Sequence, residues 1–167
     1  CLTTGTHNLG MGWFSGNAIT EGEYNITFGV AAGRCITSGD NNILLGENAG
    51  RCLSTGSRNI FLGYYAGRGN GACLTGSYNN IIGDQSGFKL CTGSRNNAFG
   101  NGALYGLTTG QCNVAMGSQA GYQVSTGSNN VAFGFAAGCC VKAGSENVAL
   151  GLKAVSYTHL RAHETYP

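Results

Sequence analysis

The stretch GQCNVAMGSQAGYQVST (110–126), followed by GSNNVAFGFAAGCCVKA (127–143) and GSENVALGLKA (144–154), decides the fold. Placed one under another, the three lines share Gly at the first position and Asn at the fourth. An apolar–Ala–apolar run follows, then Gly at the eighth position and Ala at the eleventh. Working outward from here, the first Gly recurs at 5, 22, 39, 56, 76, 93, 110, 127 and 144, with spacings of 17, 17, 17, 20, 17, 17, 17 and 17. The fourth-position Asn recurs with it, as Asn8, Asn25, Asn42, Asn59, Asn79, Asn96, Asn113, Asn130 and Asn147. A fixed period of this kind marks a stacked repeat, in which each unit buries its apolar side against its neighbours.

The apolar run is too short for a helix and is bracketed by Gly, so it predicts a strand of four or five residues. A second short strand is expected around Ile36, Leu53, Leu107, Val124 and Val141. Two strands and two Gly corners in one period describe a flattened coil. Gly suits the corners because it alone enters positive φ without cost. The reading is all-β: a parallel β-solenoid of about nine coils over residues 1–154, with an insertion near 69–72 as a surface loop. Stacked coils place equivalent residues about 4.8 Å apart. The Asn column then becomes a hydrogen-bonded ladder, like the stacked Asn of cross-β structures.

Composition agrees. The chain has 167 residues, 30 of them Gly and one Pro, with 10% charged and 42% hydrophobic residues and a net charge of +2. No Gly-X-Y period exists, which excludes collagen. The hydrophobic content is too high for disorder. The small net charge points to neither nucleic acid nor a membrane surface, and no apolar run reaches the length of a membrane span.

Strand side chains alternate, so the fifth and seventh positions share a face and the sixth takes the other. The seventh is always large and apolar: Met11, Phe28, Leu45, Leu62, Ile82, Phe99, Met116, Phe133 and Leu150. This column is expected to line the interior. The sixth, which includes Leu44, Phe61 and Ile81, is then expected to point outward as an apolar stripe. Such a stripe usually marks an interface, so a homo-oligomer is expected.

GSNNVAFGFAAG (127–138), GSENVALGLKA (144–154) and GQCNVAMGSQAG (110–121) resemble the head repeat of trimeric autotransporter adhesins, and are similar to Gly-rich repeats of phage tail-fibre and tail-spike proteins. The resemblance covers residues 1–154. It implies a left-handed parallel β-roll, three chains packed side by side as a homotrimer, and a display role: a rigid shaft or head meeting a host surface glycan or protein. The period of 17 departs from the usual adhesin coil of fourteen, so the tail-fibre likeness ranks first. The implied location is a virion tail fibre, or alternatively the cell surface.

Candidate chemistry is sparse. Arg34, Arg51 and Arg68 form a column on the outer turn, which an anionic glycan would suit. Trp13, Phe14, Tyr64, Tyr65 and Phe135 follow the second corner Gly and could stack on sugar rings. These make a glycan-binding module the alternative function, with Arg34, Arg51, Arg68, Trp13, Phe14, Tyr64 and Tyr65 as binding residues. Glu23 and Asp40 share a column, the arrangement in which glycosidases use carboxylates, yet they sit on a corner without an evident cleft. No catalytic residue, metal or cofactor is expected. His7 has no partner base or nucleophile. Paired hydroxyls such as Thr37-Ser38 and Thr108-Thr109 raise an ice-binding face as a further alternative, although adjacent residues point to opposite sides.

Eight Cys occur. Cys1, Cys35, Cys52 and Cys140 share one column and Cys73 lies near it; packing as small apolar groups is expected, with disulfides the alternative. The segment Val155–Thr165, VSYTHLRAHET, resembles a translated sequencing adapter, so 155–167 is read as a non-native tail and set aside. With Cys1 falling in mid-repeat, the natural N-terminus is expected to lie upstream.

Overall fold

The computed structural model describes residues 4–71 and 74–154. Nine parallel strands follow one another in a single sheet: β1 (Leu9–Met11), β2 (Ile26–Phe28), β3 (Ile43–Leu45), β4 (Ile60–Leu62), β5 (Asn80–Ile82), β6 (Asn97–Phe99), β7 (Val114–Met116), β8 (Val131–Phe133) and β9 (Val148–Leu150). Each strand is three residues long and pairs with the next in strict column register, Ile26 beside Ile43 and Phe28 beside Leu45. The coil of 20 residues keeps that register, with Ile60 beside Asn80. The chain is a β-solenoid, one coil per repeat.

The second strand does not form. Among the described residues its column shows only an isolated bridge, Leu53 to Leu74. The column is nonetheless buried: Ile36, Leu53, Leu74, Leu90 and Leu107 are fully enclosed. Turns carry the chain there instead, each closing by bonds such as Leu53 N–H to the Gly50 carbonyl at 2.9 Å.

The two faces of the strand are the reverse of those expected. The sixth position faces inward: Leu44, Phe61, Ile81, Ala98 and Ala115 are all fully buried. The seventh faces outward, with Phe28 50% and Phe133 54% exposed. Alternation was the sound part of the reading; side-chain size was a poor guide to which face is the core. The inward sixth position takes large groups in three successive coils, Leu44, Phe61 and Ile81, where the facing turns are Gly. Beside Phe61 the coil keeps Gly67, where a Cβ would lie 2.6 Å from the ring. Where the sixth position shrinks to Ala98, Leu104 replaces the usual Gly and is buried in the space.

The first-position corner glycines have a different reason from the one expected. Gly22 lacks positive φ; a Cβ there would lie 2.5 Å from the Gly39 carbonyl oxygen, so the column is Gly because backbone passes over backbone. The eighth-position glycines do need their freedom, as at Gly12, with φ 128°. Positive φ near the first corner falls instead on the third position, occupied by His7, Tyr24, Asn41, Arg58, Tyr78, Arg95, Cys112, Asn129 and Glu146. Held left-handed residues of this kind cost about 1 kcal/mol or more each and persist where surroundings over-determine them.

The over-determination comes from the Asn ladder, which forms as expected. Asn42 donates from its backbone N–H and its Nδ2 to Asn25 Oδ1, at 3.0 and 2.9 Å, and from Nδ2 to the Gly56 carbonyl at 2.9 Å. The pattern repeats from Asn25 on Asn8 to Asn147 on Asn130. A second ladder, unforeseen, runs beside it at the second position. Asp40 N–H donates to Ser57 Oγ at 3.0 Å, Ser57 N–H to Ser77 Oγ at 3.0 Å, and Ser77 N–H to Ser94 Oγ at 3.1 Å. The insertion near 69–72 leaves both ladders unbroken, and the chain rejoins its column where Leu74 N–H meets the Cys52 carbonyl at 2.9 Å. Ala72, Cys73, Cys1 and the 155–167 tail lie outside the described residues.

Candidate functional site

The expected binding residues spread along the rod rather than converge. Arg34 lies over the Phe14 ring at 5.2 Å. Arg68 lies over Tyr65 at 5.4 Å and over Phe88 at 5.2 Å, and its Nε is buried without a hydrogen-bond partner. Arg51, half-buried, continues the column between them. The Arg34 and Arg68 guanidinium groups sit against aromatic faces, which favours them electrostatically.

Below Arg68 the same column turns aromatic, a signal also present in the aligned repeats. Phe88 stacks on Tyr105 at 5.1 Å and 4°, and Tyr105 on Tyr122 at 4.8 Å and 8°. Stacked rings spend their faces on one another, and a sugar needs a free face. This column therefore works as a third ladder. Tyr64 meets Tyr65 edge-on at 4.2 Å, and the hydrogen bond with Tyr65 pushes the Tyr64 phenol above its ordinary pKa. Trp13 stacks on Phe14 at 5.0 Å.

Glu23 and Asp40 belong to the scaffold. Asp40 Oδ1 accepts the Glu23 N–H at 2.8 Å, as a serine does elsewhere in the second-position ladder, and Glu23 Oε1 accepts from the Thr6 hydroxyl at 3.1 Å. His7 stacks on Tyr24 at 4.6 Å. The sixteenth-position hydroxyls donate to the carbonyls of the next coil, Thr37 to Ser54 at 3.3 Å and Thr108 to Ser125 at 3.1 Å. Cys52, Cys112, Cys139 and Cys140 carry free thiols. Burial, with help from Cys140, pushes the Cys139 thiol above its ordinary pKa. Among the described residues, no group of three or more His, Cys, Asp or Glu is placed to hold a metal, and no helix is long and apolar enough to cross a membrane.

One feature is extended, apolar and built by every repeat: the outer face of the sheet. Its fifth-position column carries Leu9 (61% exposed), Ile26 (39%) and Val148 (63%); its seventh carries Met11 (60%), Phe28 (50%), Phe133 (54%) and Leu150 (66%). No charged residue occupies either column, and the only polar ones are Asn80 and Asn97, joined to each other at 2.8 Å. Purely parallel sheets are normally covered on both faces; this one is covered by its own chain on the inner face alone. Three strand residues make the face about 10 Å wide, and nine strands make it about 40 Å long, or roughly 400 Å². That is about half of one side of a standard protein–protein interface before the flanking turns are added.

No family model, curated protein or solved structure matches the chain.

Proposed function

We propose that this chain is a self-associating structural segment, the shaft or head of a surface fibre such as a phage tail fibre, in which three copies pack side by side through the outer sheet face. The observation that carries the reading is the pair of apolar columns running the length of the sheet, half-buried in the central coils and exposed toward both ends. The expected interface thus stands on the fifth and seventh positions in place of the sixth. Burying a large apolar side chain contributes about 1.5–3 kcal/mol, and the face offers sixteen such residues to offset the entropic cost of association. The resemblance to adhesin and tail-fibre repeats supports the number three and the display role.

Sedimentation equilibrium of the full chain tests this. The expected mass is that of three chains, falling to one in the variant Leu45→Glu with Phe99→Glu, which places charge at the centre of the face and leaves the core untouched. A well-folded monomer at high micromolar concentration overturns the proposal.

A further inference from the structure

Over coils three to six the two edges of the sheet face differ in charge, and in coil nine the third-position edge carries Glu146. At the third-position edge, coils four and six carry Arg58 and Arg95, both exposed. At the ninth-position edge, coils three and five carry Glu47 and Asp84, also exposed. The ninth position holds no cation in any coil. Read down the rod, the four alternate: acid at level three, base at four, acid at five, base at six. The bases are also held in place. Arg58 Nη1 donates to the Tyr78 hydroxyl at 2.6 Å and lies 5.3 Å from that ring, while Arg95 lies over the other side at 6.0 Å.

We infer that copies of this chain stand parallel and level, the third-position edge of each against the ninth-position edge of the next. The inference rests on the fibre reading and adds the orientation and register of the partner. Any rotation axis along the rod, twofold or threefold, brings unlike edges together, and closure of the ring keeps all copies at one height. Each Arg then faces a neighbour with an acid one coil away, about 4.8 Å along the axis, within reach of a guanidinium. At equal height Arg58 meets Tyr64 of the next copy, a cation–aromatic pair, and Tyr78 meets Asp84, a hydroxyl beside a carboxylate. Antiparallel copies overlapping along all nine strands fare badly. Like edges would meet, with Arg58 opposite Arg95 and Asp84 opposite its own equivalent. Like charges set face to face are a standard means of rejecting a wrong arrangement.

The test is an edge swap in the full chain, read by sedimentation and checked for fold by circular dichroism. Arg58→Glu with Arg95→Glu makes both edges acidic; Glu47→Arg with Asp84→Arg makes both basic. Each pair is expected to weaken association about tenfold or more, and less in high salt. All four changes together are expected to restore it, because unlike edges meet again. A second reading uses Cys112 and Ser118, which flank strand β7 at opposite edges of coil seven. In Ser118→Cys, a short bismaleimide is expected to join chains, and Cys112→Ser to abolish that product. A wild-type monomer would defeat the fibre reading itself. A wild-type assembly that ignores the swaps, or that the fourfold variant fails to restore, overturns only the parallel, level pairing.

Discussion

Asn59 is fully buried and engages every polar atom it has. Its Oδ1 accepts two bonds from Asn79, at 2.9 and 3.1 Å, and its Nδ2 donates to Asn42 Oδ1 and the Gly76 carbonyl, at 3.1 and 3.0 Å. Truncation would strand the Asn79 amide groups out of reach of water, so Asn59→Ala is expected to cost about 3–5 kcal/mol in urea unfolding. Asn80→Ala, one residue from this ladder but on the outer face, is expected to cost under about 1 kcal/mol in the monomer. The Asn column was legible because nothing but Asn fills it. The left-handed residues just before it were not: His7, Tyr24, Arg58, Cys112 and Glu146 share no chemistry that announces positive φ. Geometry imposed by the next residue's ladder decides their conformation. The serine ladder was hidden for a related reason, since Ser beside Gly reads as an ordinary turn.

At the scale of the strand, the period settled pairing, order and register before any coordinates. It could not settle which face turns inward. The rule that large apolar residues go inside fails at Phe28 and Phe133, which stand about half exposed on the outer face. The contrast between adjacent residues gives a sharp check. Leu44 is fully buried, its methyls packed where a Cβ on Gly33 or Gly50 would collide, whereas Leu45 is 37% exposed. Leu44→Ala is expected to destabilise by about 2–5 kcal/mol. Leu45→Ala is expected to cost under about 1 kcal/mol at dilute concentration and to weaken association instead. Equal costs measured by denaturant titration would contradict the face assignment. The missing second strand has an equally local cause: its residues were read for hydrophobicity, which they have, while their backbone is spent on turn bonds such as Gly50 to Leu53.

Across the whole molecule, each coil touches only the coil before and the coil after. Stability then approximates a sum of coil and junction contributions, and the proposed association through the sheet face would add a contribution that depends on concentration. If the copies associate, the melting temperature should climb by several degrees over a hundredfold increase in chain concentration. A midpoint that stays constant across that range would argue for a self-sufficient monomer. The candidate binding residues were the least legible part of the chain. Arg34, Arg68 and Tyr65 were singled out as groups that could hold a ligand, and the structure sets Arg34 over Phe14 and Arg68 over Tyr65.

The Asn, Ser and aromatic ladders share a direction: their bonds and contacts point along the rod. Tension applied to the ends of the chain therefore loads the junctions one after another, and the weakest terminal coil yields before its neighbours feel the full force. A coil that peels away releases 17 residues, about 50 Å of slack, and leaves the next rung intact. Under a sudden pull such a rod lengthens in even steps and dissipates work at each one, so it behaves as a ratcheted shock absorber rather than a brittle pin.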